Sequence, residues 1–235
     1  MGTIINVAAI IVGGLLGRFF GKHISESFRE LLSQACGVST IFLGITGALE
    51  GMTSVSDGSV KSSHGMFLVV CMVLGGIIGH LLNIEKRFED IGTWLREKSG
   101  NSDDTRFVDG FITATFTVCI GAMTIVGSIE DGIRGDPSIL VTKSVLDFII
   151  VMVLTGSMGI GCMFSAVPVG VIQGAITLGA RLVEPVLTQT ALGNLSMVGS
   201  VLIFCVGVNL LWERKINVAN LLPALVFAVA AAYII

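Results

Sequence analysis

The sequence predicts an all-α, polytopic integral membrane helical bundle, and three observations carry that prediction: charge is scarce, apolar residues come in span-length runs, and glycine recurs inside those runs. Of the 235 residues, 53% are hydrophobic and 13% charged, about half the charge of an ordinary soluble domain. Mean hydropathy is +0.89. The 30 glycines follow no collagen-like period and accompany only 4 prolines. Membrane helices use glycine in this way, because close backbone packing replaces the hydrophobic force that lipid cannot supply. This composition argues against a soluble enzyme, a secreted disulfide scaffold and a disordered chain. With 14 basic and 17 acidic residues and no basic block, it also argues against a nucleic-acid partner.

Apolar segments fall at about 3–20, 34–51, 65–83, 107–129, 139–161, 163–180, 195–212 and 217–235, each near the length that crosses about 30 Å of hydrocarbon at about 1.5 Å per residue. The first lacks the basic leader and small-residue cleavage site of a signal peptide and reads as a retained span. The count is eight, or seven if the Gly- and Pro-interrupted stretch 156–174 is one broken helix rather than a hairpin. Lys and Arg accumulate on the cytoplasmic side. With the N-terminus outside, Arg18, Lys22, Arg29, Lys86, Arg87, Arg96, Lys98, Arg106, Arg214 and Lys215 fall inside, and Lys61, Arg134, Lys143 and Arg181 outside. That 10 to 4 split favours eight spans and both termini outside the cytoplasm.

Residues 1–235 read as a single transmembrane domain with two inner connections that are more than turns. Residues 23–34 place Ile24, Phe28, Leu31 and Leu32 at helical spacing, and residues 84–98 do the same with Ile84, Phe88, Ile91 and Leu95. Both read as interfacial amphipathic helices. Residues 100–106 are a polar linker.

Internal repetition is the next signal. The run Val12 to Arg18, with Gly13, Gly14 and Gly17, recurs from Leu74 to His80 with Gly75, Gly76 and Gly79; both glycine sets read as helix-packing faces. Each copy leads through an amphipathic stretch to a glycine-bearing span ending near an acid, Glu50 or Glu130. The repeats are therefore 12–51 and 74–132, with a weaker third at 173–213 that ends at Glu213. Spans three to five and six to eight could then form an inverted pair, a common plan in secondary transporters.

Charges that survive inside spans are the leading site candidates. Asp147 lies about 12 Å into the fifth span at helical rise, and exposing it to lipid would cost about 2.5 to 3.5 kcal/mol. Lys143, one helical turn earlier, can pair with it. The solute or ion path is expected to draw on Asp147, Lys143, Gln173, Pro168, Asn209, Thr124 and Glu50. Asn6, Thr46, Thr115 and Thr117 are further polar residues suited to interhelical hydrogen bonds, and His80 reads as an inner-rim residue. Cys36, Cys71, Cys119, Cys162 and Cys205 stand singly, without metal or redox spacing, and read as small buried apolar residues. No nucleotide, dinucleotide or zinc motif occurs, so no cofactor and no catalytic residue are expected, and an intramembrane enzyme ranks third among the readings.

The opening Met1 to Asn6, Gly13 to Gly17, Phe42 to Gly47, Cys119 to Met123 and Val169 to Gly174, taken together, resemble the YqgA-like bacterial inner-membrane family of unknown function. The resemblance runs essentially the full length. It implies a multi-pass bacterial protein of the transporter kind and supplies neither substrate nor catalytic residues. The expected function is a small-solute or ion transporter or channel of the bacterial inner membrane, assembled as a homodimer or larger homo-oligomer. The alternative is a non-transporting membrane scaffold or regulatory subunit.

Overall fold

A computed structural model describes residues 1–235 except 22–24, 57–58, 63, 102–103, 120–121, 184–187, 213–215 and 234–235. The chain is helical apart from one short hairpin. In order, it forms α1 (Gly2–Gly21), α2 (Glu26–Met52), the antiparallel strands β1 (Thr53–Ser56) and β2 (Ser59–Ser62), α3 (Gly65–Leu81), α4 (Ile84–Lys98), α5 (Phe107–Cys119) and α6 (Ala122–Ile133). Next come α7 (Ser138–Met158), a 3-10 segment (Ile160–Ser165), α8 (Ala166–Leu178), α9 (Ala180–Val183), α10 (Gln189–Leu211), α11 (Val218–Leu221) and α12 (Pro223–Ala231).

Among the described residues, five stretches are helical, long and apolar enough to cross a bilayer: α1, residues 34–52 of α2, α7, the 3-10 segment joined to α8, and α10. The number rises to seven when two bent pairs are each taken as one span, α3 with α4 at 57° and α5 with α6 at 62°. The α11–α12 stretch, Val218–Ala231, is apolar but shorter. Large apolar side chains such as Phe42, Val69, Ile77, Val171 and Val226 lie exposed on these helices, the inverse of a soluble surface and the expected face toward lipid. The protein is a multi-pass α-helical membrane bundle.

The glycines set helix directions. A Cβ at Gly13 would lie 2.5 Å from the Phe148 carbonyl oxygen, Gly17 abuts Met152 and Thr155, and Gly21 abuts Gly156. Both series climb in steps of four, so α1 and α7 run parallel, backbone against backbone. Along α2, Gly37, Gly44 and Gly51 meet Leu211, Phe204 and Met197; one series rises as the other falls, so α2 and α10 are antiparallel. Gly75 and Gly79 of α3 meet Ala224 and Asn220, again antiparallel, and a Cβ at Gly76 would lie 3.3 Å from Leu221. A Cβ at Gly14 would lie 2.5 Å from the Met163 side chain of the 3-10 segment. The two copies of the Gly-Gly run thus pack on different partners, α7 with the 3-10 segment for the first and the α11–α12 stretch for the second.

The stretch 156–174 is a tight hairpin. α7 ends at Gly159, whose φ of 102° is open mainly to glycine. The chain then returns, because Thr3 contacts Thr177 and Val7 faces Gly170, which makes α8 antiparallel to α1 and hence to α7. Pro168 sits in the first turn of α8, where a missing N–H costs nothing.

From Glu26, the expected surface helix 23–34 is no separate element but the beginning of α2, capped by Ser25 Oγ accepting the Phe28 N–H at 3.3 Å. No glycine or proline intervenes before Gly37 to break it. Residues 23 and 24 lie outside the described residues. Residues 84–98 do form a helix of their own, α4, turned away from α3 at Leu82 and Asn83; Asn83 takes φ 49°, a left-handed value that Asn tolerates. The strands β1 and β2 occupy what the sequence suggested was only a polar connection.

Candidate functional site

A buried ionic cluster is assembled by α1, α5 and α7. Asp147 and Lys143 retain 3% and 6% exposure. One turn apart on α7, they pair at 2.5 Å. Lys143 Nζ also donates to the Val118 carbonyl oxygen at 2.7 Å, and Asn6 Nδ2 donates to Asp147 Oδ2 at 3.0 Å. Val118 has this carbonyl to offer because α5 stops at Cys119, and the last carbonyls of a helix lack intrahelical partners. The negative end of the α5 dipole adds to the attraction. Lys143 therefore bridges a carboxylate and a helix C-terminus inside the spanning layer.

Gln173 is fully buried, and among the described residues neither its Oε1 nor its Nε2 has a hydrogen-bond partner. It lies three residues after Gly170 and four before Thr177, two positions of α8 that face α1, so periodicity puts it on the α1-facing stripe at the level of Asn6. Asn6 Oδ1 and Thr124 Oγ1 are likewise buried and unpartnered. Gly127 packs on Leu140 across the α6–α7 hairpin, which sets Thr124, one turn deeper, level with Lys143. In an apolar interior, each such group costs roughly 1 to 3 kcal/mol unless water or a ligand meets it.

The remaining path candidates lie elsewhere. Asn209 clasps the α10–α11 connection, donating to the Ile216 carbonyl at 2.7 Å and accepting the Ile216 N–H at 2.9 Å. Pro168 is half-buried, and Glu50 is exposed on the last turns of α2. Among the other acids named, Glu130 pairs with Arg134 at 3.0 Å on the surface, and Glu213 lies outside the described residues. His80 is exposed at the end of α3. Thr46 and Thr117 turn back to the Phe42 and Thr113 carbonyls within their own helices.

Two features escaped the sequence. Asp131, its side chain only 2% exposed, accepts the Gly2 N–H and the Met1 ammonium, each at 2.9 Å, and so caps α1 from α6. A cavity of about 730 Å³ opens where α2, α4, α5, α10 and α11 converge, lined by Glu30, Gln34, Glu85, Arg106, Asp109 and Asn209 among others. Its lining includes Phe116, buried and set edge-on to Phe88 at 5.1 Å. Phe116 and Val118 are two residues apart on α5, so the cavity and the Lys143 contact lie on different sides of that helix. Only spatial assembly of five elements reveals this space.

Outside the spans, Asp136 lies in the α6–α7 turn, where its Oδ1 accepts the Ser138 N–H and hydroxyl, holding its carboxyl below the ordinary aspartate range. Among the described residues, no three His, Cys, Asp or Glu side chains gather as a metal site.

The bundle with a charged, hydrogen-bonded cluster inside its spanning helices defines a multi-pass membrane protein with an intramembrane polar centre. The chain belongs to the family described as "Protein of unknown function (DUF554)", whose model matches residues 1–233. It is 30% identical to the uncharacterized membrane protein YdfK of Bacillus subtilis (strain 168), over 100% of this chain and 96% of that protein. It is 27% identical to the uncharacterized protein YqgA of Escherichia coli (strain K12), over 97% of this chain and 94% of that one. No solved structure matches it.

Proposed function

We propose that this protein is a carrier of a small solute or ion across the bacterial inner membrane, with Asp147 and Lys143 as the charges that the passing species engages. The observation that carries this reading is the Lys143–Asp147–Asn6 cluster buried between spanning helices. Intramembrane ion pairs are costly and concentrate on substrate, ion and proton pathways.

In this reading the chain crosses eight times with both termini outside the cytoplasm, α5–α6 forming the fourth crossing and α11–α12 the last. Four helix relations support eight: α7 parallel to α1, α8 antiparallel to α1, α10 antiparallel to α2, and α12 antiparallel to α3. The α4 helix then lies along the inner surface, and 12–51, 74–132 and 173–213 are the repeats, with spans three to five and six to eight as an inverted pair. Because the amphipathic α4 consumes part of a 235-residue chain, a homodimer or larger homo-oligomer encloses the path.

Flux across reconstituted proteoliposomes tests this, screening alkali and small organic cations and anions by trapped pH dye and charge movement. Native protein should move at least one species, and Asp147→Asn should reduce that flux while inserting normally. Absence of flux for every species would reject the carrier. The second reading, a scaffold or regulatory subunit, draws on the cavity lining, which does not include Asp147, Lys143 or Gln173; a dry cluster in both native and variant protein would favour it.

A further inference from the structure

The helix α8 meets α1 along a stripe that is in contact at two levels and open between them. A Cβ at Gly170 would lie 3.3 Å from Val7 Cγ2, and nearer the start of α1 the hydroxyls of Thr3 and Thr177 stand 3.3 Å apart. Gly174 is one turn beyond Gly170 on that stripe, yet among the described residues a Cβ there would meet nothing within 4 Å. The adjoining residue is Gln173, fully buried, with neither polar atom of its amide partnered among the described residues. Across the seam at the same level, Asn6 donates from Nδ2 to Asp147, while its buried Oδ1 has no partner among the described residues. The α1–α7 contact is of another kind, since Gly13 and Gly17 abut the Phe148 and Met152 carbonyl groups directly.

We infer that this stretch of the α1–α8 seam binds water, and that Gln173 draws it in from the face that carries the N-terminus. The chemistry is matched to water rather than to an ion. Gln173 Oε1 and Asn6 Oδ1 can each accept a hydrogen bond and Gln173 Nε2 can donate. One water would then use both hydrogens and one lone pair, about three bonds, the usual number for a water inside a protein. A cation would be faced by the Nε2 donor, and an anion would lie one side chain from the Asp147 carboxylate. An amide left unmet in an apolar interior is costly, and water offsets that cost. Gln173 is closed off at 0% exposure, so meeting water takes a change of its side-chain rotamer toward Gly174, not a shift of the helix.

The route has a direction. Thr3 and Thr177 are half-buried at the end of the seam where Asp131 holds the Met1 ammonium and Gly132 abuts Thr177. Deeper along α1 the lining turns apolar, because Ile10, Ala166 and Val169 pack in one buried cluster. Water entering past Thr177 therefore stops at Gln173 and Asn6, and the Asn6 amide links it to Asp147. The seam is separate from the cavity among α2, α4, α5, α10 and α11, whose lining includes neither Asn6 nor Gln173. The inference goes beyond the carrier reading, since a hydrated seam requires no transported species.

The test is thiol protection by silver ion, a probe no larger than water, in membrane vesicles holding a full-length chain with its 5 cysteines replaced by alanine. Single cysteines go to Gly174, where a Cβ fits, to Thr177, and to Ala175, which is exposed away from α1. Thiols react as thiolates, which form in water and not in hydrocarbon. Added from the side that bears the N-terminus, silver should protect Gly174→Cys and Thr177→Cys from later maleimide labelling about tenfold faster than Ala175→Cys. Adding Gln173→Leu should slow Gly174→Cys about tenfold and leave Thr177→Cys unchanged, which a merely structural Gln173 would not do. Should the cysteine-free chain not fold, an experimental structure of the native chain that shows ordered solvent decides, with water expected about 3 Å from the Gln173 amide. Equal rates at Gly174→Cys and Ala175→Cys, faster reaction from the opposite face, indifference to Gln173→Leu, or a dry Gln173 in that structure overturns the inference. If Gly174→Cys is inert while Asp147→Asn still lowers flux, the seam falls and the carrier stands. A reactive Gly174→Cys in a protein that moves no species keeps the seam and removes the carrier.

Discussion

Replacing Lys143 by Met should be among the most damaging single changes in the membrane layer, and adding a second change should repair it. The ammonium makes two short contacts, 2.5 Å to Asp147 and 2.7 Å to Val118 O, with almost no solvent. Removing it leaves the Asp147 carboxylate with only the Asn6 amide as a donor among the described bonds. Losing one member of a buried pair costs about 3 to 5 kcal/mol; placing an unpaired carboxylate in the bilayer centre costs about 2.5 to 3.5 kcal/mol on insertion scales. The two routes agree on about 3 kcal/mol for Lys143→Met. In the double variant Lys143→Met/Asp147→Leu both charges are gone and an apolar pair of similar volume remains, which is often neutral or stabilising. Its cost should be under about 1.5 kcal/mol, giving a favourable coupling between the two changes. Reversible unfolding in detergent micelles, run on all four members of the cycle, measures that coupling. Additive single changes, or a Lys143→Met cost below about 1 kcal/mol, would show that the pair is hydrated and the buried-site reasoning wrong.

Gly13→Val drives a side chain into the Phe148 backbone, which cannot move as a flexible side chain could; a loss of about 1 to 3 kcal/mol or more is expected in the same unfolding assay. Gly193→Ala, with open space around its Cβ inside α10, should be neutral or stabilising by about 0.5 to 1 kcal/mol. Asp136→Ala should lower stability at neutral pH. The native carboxyl is held below its ordinary value by Ser138, so its contribution is full above about 3.9, the unfolded value, and is lost as pH falls through the lower folded value. The thermal midpoints of native and variant protein should therefore converge in acid, and a constant gap would refute the cap. Single cysteines placed at Thr113 and Lys86 in a cysteine-free chain should react with an impermeant maleimide from the same side of the membrane, and labelling from opposite sides would separate the cavity from α4.

Much of the architecture is legible in letters because a span must be long, apolar and backbone-satisfied, and only helices manage that here. The Gly13–Gly17 and Gly75–Gly79 runs declare close approach, but not to whom: the partners Phe148 and Ala224 are over a hundred residues away, and nothing local encodes that pairing. Asp147 and Lys143 announce themselves as charges at an i, i+4 spacing. Gln173 could be named yet not ranked, since a buried amide looks the same in sequence whether its partners exist or not. Asp131 was overshadowed by Glu130 next to it, because one residue of helix rotation, about 100°, decides which acid faces α1 and which faces water. The continuity of α2 through 26–34 was masked by polar residues that signal an interface but do not break a helix.

The break between α5 and α6 ties these observations together. In an unbroken helix the Val118 carbonyl would accept the N–H of Ala122, four residues on, and present nothing to a neighbour. Here α5 ends at Cys119 and α6 starts at Ala122 with a 62° change of direction across the pair, and the Val118 carbonyl accepts from Lys143 Nζ at 2.7 Å. Packing elsewhere cannot adapt readily, because α7 is fixed against α1 by glycine contacts at Gly13, Gly17 and Gly21. The α1–α7 pair so fixed carries Asn6, Lys143 and Asp147 together, so a change at any one of the three is felt by the other two through a single interface that cannot shift to accommodate it.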